Sequence, residues 1–71
     1  PPALEALHRW RTAAANRALV DPQAIVPDTA MEQLVAHPPA TTEELARVSG
    51  IGPGRARRWG DELLELLAPH S

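Results

Sequence analysis

The stretch Thr41-Thr42-Glu43-Glu44-Leu45-Ala46-Arg47-Val48-Ser49-Gly50-Ile51-Gly52-Pro53-Gly54-Arg55, continuing as Ala56-Arg57-Arg58-Trp59-Gly60-Asp61-Glu62-Leu63-Leu64-Glu65-Leu66-Leu67, decides the fold. Thr41 and Glu44 have the spacing of a capping box, with Thr42 as the alternative cap, so a short helix follows that presents Leu45 and Val48. Gly50 suits the left-handed residue that closes such a helix, and Gly50-Ile51-Gly52-Pro53-Gly54 reads as a tight turn. Pro53 fits the first position of a last helix, which runs to about Leu67 and buries Ala56, Trp59, Leu63 and Leu66 or Leu67. Pro69 ends it.

Working outward, Leu4, Leu7, Ala14, Ala15, Ala18 and Leu19 recur at helical spacing around Trp10 and Arg11, which predicts an amphipathic helix over about residues 3 to 19. Asp21-Pro22 stops it, because the proline disfavours the helical region for the residue before it. Gln23-Ala24-Ile25-Val26-Pro27 then forms an extended or single-turn connector. Asp28 is the expected N-cap of a helix to about Val35, with Ala30, Met31, Leu34 and Val35 facing inward and His37-Pro38-Pro39 as the stop. No segment alternates strictly as a half-buried strand would, and no internal repeat is evident. The class is all-α, with four to five short helices in one domain over residues 1–71.

A chain of 71 residues buries only about 60% of the surface its unfolded form exposes, which leaves little core for a deep catalytic cleft. With 44% hydrophobic and 23% charged residues it has the balance of a folded chain rather than a disordered one. There is no cysteine, so neither a disulfide nor a thiolate zinc site reinforces the core. Apolar runs are too short to span a bilayer, and Pro1-Pro2-Ala3-Leu4 lacks a basic leader region, so no membrane partner is expected and the expected location is the cytoplasm. The missing initial methionine suggests a domain excised from a larger protein. All seven basic residues are arginine, which suggests a GC-rich bacterial genome.

Net charge is -2, which argues against strong, non-specific attachment to phosphate backbones. The distribution carries more information than the sum. Arg9, Arg11 and Arg17 face one acid, Glu5, in the first twenty residues; residues 21 to 46 carry only Asp21, Asp28, Glu32, Glu43 and Glu44. Arg47, Arg55, Arg57 and Arg58 then follow with no acid among them, before Asp61, Glu62 and Glu65.

The ordered set Leu7 with Trp10-Arg11, Ile25-Val26-Pro27-Asp28, Leu34 with Pro38, Thr41 with Glu44-Leu45, Val48 to Gly52, and Trp59-Gly60 with Leu63-Leu64 resembles the HRDC domain. The resemblance runs from about residue 4 to residue 67 and rests on the whole set rather than on one motif. Two departures stand out: Ala24-Ile25-Val26 lacks the aromatic often found there, and the chain is less basic than the strongest nucleic-acid binders of the family. The resemblance implies a small orthogonal helical bundle, found on the C-terminal side of RecQ-family helicases, some UvrD-like helicases and RNase D. It further implies an auxiliary module that contacts nucleic acid or a partner protein while chemistry happens in neighbouring domains.

Val48-Ser49-Gly50-Ile51-Gly52-Pro53-Gly54-Arg55 also resembles the hairpin of helix-hairpin-helix modules. A helix start leaves about four N–H groups without internal partners and carries partial positive charge, a combination that attracts anions. Gly52 and Gly54 have no side chain to block a phosphate, and Arg55, Arg57 and Arg58 crowd the first turns of the last helix with Asp61, Glu62 and Glu65 behind them. That order opposes the helix dipole by about 0.3–1 kcal/mol per terminal charge, so a bound phosphate would account for it. The alternative is a solvated face on which Arg57–Asp61 and Arg58–Glu62 pair across one turn, worth about 0.2–0.5 kcal/mol each. Arg55 escapes that alternative because Trp59 is its neighbour four residues on, and so does Arg47; these two are the foremost candidates for intermolecular contact.

Trp10 and Trp59 are the only aromatics. Each is either a core anchor or a stacking platform for a base, and Arg11 either pairs with an acid or reaches nucleic acid. His8, His37 and His70 lack metal-ligand spacing, Asp61 and Glu65 lack a companion ligand, Ser49 and Ser71 lack a base, and the glycine turn lacks the lysine of a phosphate-binding loop. No cofactor, metal or catalytic residue is expected.

Two functions fit. In the first, a monomeric, non-catalytic domain of a UvrD-like ATP-dependent DNA helicase binds single-stranded or forked DNA weakly through Arg47, Gly52, Gly54, Arg55, Arg57 and Arg58, with Trp10 and Arg11 secondary. RecQ-type helicases and RNase D are the other possible parents. In the second, the chain is a protein-docking or spacer domain that positions the helicase core or another protein through Asp28, Glu32, Glu43 and Glu44, or through exposed apolar residues such as Ile25 and Val26, with little affinity for nucleic acid.

Overall fold

A computed structural model describes residues 2–70; Pro1, Ser71 and the side chain of His70 lie outside the described residues. The chain forms α1 (Pro2–Ala18), α2 (Pro22–Ile25), α3 (Asp28–Ala36), α4 (Thr42–Ala46) and α5 (Gly52–Leu67), followed by a 3-10 turn at Ala68–His70. Among the described residues there is no strand. This is the expected all-α class.

Local chemistry sets most of the boundaries. After α1, Leu19 takes a left-handed conformation (φ 57°) and the Val20 N–H donates to the Ala15 carbonyl at 3.1 Å, which closes the helix without a glycine. Asp21 Oδ1 accepts from the Gln23 N–H at 2.8 Å, so the connector winds into one helical turn with Pro22 first. Thr41, not Thr42, caps α4: its Oγ1 accepts from the Glu44 N–H, and Glu44 Oε1 reaches back to the Ala40 N–H, each at 3.1 Å. The expected N-cap of α3 needs correction. Pro27 occupies the cap position with no side-chain cap bond, and Asp28 is already helical. Its carboxylate turns instead to Arg11, 2.7 Å away, because a full ionic partner outcompetes a backbone N–H.

Leu7, Val26, Met31, Leu34, Leu45, Leu63 and Leu67 are the largest fully buried side chains, so α1, α3, α4 and α5 all contribute to one core. Truncating such a leucine to alanine costs about 2–5 kcal/mol. α4 lies over α5 where Gly60 is buried; a Cβ there would sit 3.7 Å from Leu45 and Thr42. Gly50 has φ 92°, and a Cβ on it would come within 2.9 Å of Pro27 Cγ, so both backbone and packing require glycine. Gly50 thus lets the α4–α5 turn lie close against Pro27, just before α3.

Candidate nucleic-acid interface

The arginines divide by what their guanidinium groups already hold. Arg55 Nε donates to the Ile25 carbonyl at 3.0 Å, Nη1 to Gly50 at 3.1 Å and Nη2 to Ala24 at 3.1 Å. α2 is one turn long and leaves its last carbonyls without helical partners, and a planar five-donor fork is well suited to collect them. The geometry therefore gives Arg55 an internal role, as a clamp between α2 and the α4–α5 turn. No local sequence signal announces this, since two of the partners lie 30 and 31 residues away.

Arg11 is likewise internal. It is buried, ion-paired to Asp28, and donates from Nη1 to the Val26 carbonyl at 2.9 Å, while its buried Nε has no protein partner. The hydrogen bond from Arg11, then that with Gln23, holds the Asp28 carboxyl below its ordinary value of 3.8. Of the two sequence alternatives for Arg11, pairing with an acid is the one observed.

Where α1 meets α5, Trp10 and Trp59 pack edge to face with ring centres 5.6 Å apart and planes at 84°. Both are half-buried, so they anchor the helix junction yet remain partly open at its rim. Glu62 Oε1 accepts from Trp10 Nε1 at 3.1 Å and lies 3.7 Å from Arg17, while the Arg58 guanidinium sits 4.6 Å from the Trp59 ring centre. With Glu62 turned to Trp10 and Arg58 turned to Trp59, the expected Arg58–Glu62 pair does not form. Nor does Arg57–Asp61: among the described residues no carboxylate comes within ion-pair distance of Arg47, Arg57 or Arg58.

The start of α5 is open. Gly52 (φ 70°) and Gly54 have no atom within 4 Å of where a Cβ would stand, and no side chain caps the helix. Arg57 and Arg58 are exposed on its first turns. Arg47 lies at the other end of the turn, exposed at the C-cap of α4, beside a pocket of about 310 Å³ that it lines with Thr29, Gln33, His37, Val48 and Ser49. The sequence reading missed this pocket. Thr29 and Gln33 are four residues apart, the spacing that aligns side chains along one face of α3, and His37 stands at its C-cap.

The docking alternative loses part of its surface. Ile25 and Val26, expected to be exposed, are 3% and 1% accessible; they are core residues because the connector winds inward as α2. Asp28 and Glu44 are held by Arg11 and the α4 cap, leaving Glu32 and Glu43 exposed. The large exposed apolar residues are Leu19 and Val20 instead. Among the described residues no helix is long and apolar enough to cross a membrane, and no three metal-ligating side chains gather.

The family model for the HRDC domain matches residues 2–67. No match is found among curated proteins or among solved structures. HRDC domains are non-catalytic accessory modules of helicases and RNase D, associated with nucleic acid. The match spans nearly the whole chain, and the all-α fold is consistent with it: this chain belongs to the HRDC domain family.

Proposed function

We propose that this domain is a weak nucleic-acid-binding accessory module of a UvrD-like ATP-dependent DNA helicase, excised here from that larger protein, which helps it engage single-stranded or forked DNA in repair or recombination. The observation that supports this reading is that Arg47, Arg57 and Arg58, all exposed and without a carboxylate partner among the described residues, flank an α5 start left open by Gly52 and Gly54. A guanidinium that no acid neutralises releases counterions when it meets a phosphate, and that release is the source of sequence-independent affinity. Arg58 over the rim of Trp59 adds a flat surface on which an unpaired base can stack.

Fluorescence anisotropy of labelled single-stranded, duplex and forked DNA, titrated at about 20 and 150 mM salt, tests the proposal. Each phosphate contact contributes about 0.7 to the salt slope on single strands, so Arg57→Ala with Arg58→Ala lowers the slope by roughly 1.4. Absence of binding to all three DNAs at low salt would transfer the function to protein docking, with Leu19, Val20, Glu32 and Glu43 as the surface to mutate.

A further inference from the structure

We propose that the pocket between α3 and the α4–α5 turn receives the terminal phosphate of a nucleic-acid strand, an inference that rests on the nucleic-acid reading above. Of its lining residues, Thr29, Gln33, His37, Arg47 and Ser49 carry side chains that donate hydrogen bonds, and none of the six carries a carboxylate. A second pocket of similar volume, about 320 Å³ beside α1 and α3, shows the contrast: Asp28 and Glu32 line it and Arg11's charge is already matched there. In the α3 pocket Arg47 has no ion pair or side-chain hydrogen bond among the described residues.

A cation at a helix C-terminus has a local explanation, since it offsets the negative end of the dipole. His37 stands at the C-cap of α3, and Arg47 follows α4, so the place of Arg47 there is accounted for. Their convergence on one pocket from two elements, with three neutral donors, is not. An internal phosphodiester offers two free oxygens and a chain that must leave in two directions, which suits an open groove. A terminal phosphate offers three oxygens, additional negative charge near neutral pH and a single exit. The volume, about 310 Å³, lies at the small end of the range for ligand pockets and is enough for one terminal nucleotide.

The test uses one single-stranded oligonucleotide in three forms, with a 5′ phosphate, a 3′ phosphate or hydroxyls at both ends, against the unaltered domain and against Arg47→Ala and Ser49→Asp. The expected result is about tenfold tighter binding of one phosphorylated form than of the hydroxyl form, as a charge-assisted contact supplies. Arg47→Ala should abolish that preference, and Ser49→Asp, which places a carboxylate in the pocket, should do the same from an unrelated position. Arg57→Ala with Arg58→Ala should weaken all three forms equally. Equal affinity for all three forms by the unaltered domain overturns the pocket proposal and leaves the nucleic-acid reading standing. No binding to any of them overturns both.

Discussion

Arg55 and Arg47 stand at opposite ends of the same glycine turn, carry the same side chain and are indistinguishable by local charge pattern, yet the fold uses them in opposite ways. Arg55 spends Nε, Nη1 and Nη2 on three carbonyls of α2 and the turn. Arg47 has neither an ion pair nor a side-chain hydrogen bond among the described residues and edges a pocket without acids. The difference lies in what surrounds each: Arg55 projects toward a one-turn helix with orphan carbonyls, whereas Arg47 follows a helix whose end closes on itself, its own N–H donating to Glu44 and Leu45. A cationic sequence patch is thus a list of donors, and the structure divides it into donors already used and donors available to a ligand.

The largest expected effect falls on stability at Arg55. Arg55→Ala removes three hydrogen bonds from a charged donor and should cost about 2–3 kcal/mol, allowing for non-additivity. Thermal denaturation followed by circular dichroism should then show Tm lowered by roughly 10–20 °C in a domain of this size. Arg55→Lys should recover less than half of the loss, because an ammonium cannot reproduce a planar fork across three carbonyls. A Tm for Arg55→Ala within about 3 °C of the unaltered domain would erase the distinction between the two arginines.

Arg11 lies between these extremes, internal like Arg55 yet tied to a carboxylate that is exposed. Asp28 has a folded-state pKa below its ordinary 3.8, so its contribution to stability is present above the unfolded value and is lost as pH falls through the folded one. Urea denaturation across roughly pH 5 to 2.5 should show the midpoint declining most steeply below about pH 4. Asp28→Asn should flatten that decline and lower the midpoint at pH 7, since Arg11 then keeps only the Val26 carbonyl. An unchanged profile in the variant would mean that the pair is incidental to stability.

Much of this fold was legible in the sequence because its signals are local. The Thr41 cap with Glu44 and the stop at His37-Pro38-Pro39 act within a few residues and appear where expected. Gly50 is left-handed but lies beyond Arg47, the C-cap of α4, so it does not close that helix, and α1 ends at Ala18 on left-handed Leu19 rather than at Asp21-Pro22. The larger errors are non-local. Asp28 resembles a cap locally because its partner Arg11 is 17 residues earlier, and the short connector gives no period from which the burial of Ile25 and Val26 follows. The candidate site was legible as a set of basic residues, but not as a division of labour. That Arg55 holds three backbone carbonyls, and that Thr29, Gln33, His37 and Ser49 line a pocket with Arg47, is visible only once α2, α3 and the turn are placed together.

The smallest expected effect completes the contrast. Arg47→Ala should leave stability within about 0.5 kcal/mol and Tm within about 4 °C, since an exposed side chain with no direct partner forfeits only a small interaction with the end of a five-residue helix. A small gain is also admissible, because the long arginine side chain would no longer be ordered on folding. The same substitution should lower the salt slope of single-strand binding by roughly 0.7, the share of one phosphate contact. Loss at Arg55 would then be read in denaturation and loss at Arg47 in binding, two residues eight positions apart separated by the kind of measurement that detects them. If Arg47→Ala instead unfolds the domain as readily as Arg55→Ala, Arg47 holds the turn together, and the partner it uses for that must be sought within the protein rather than on a nucleic acid.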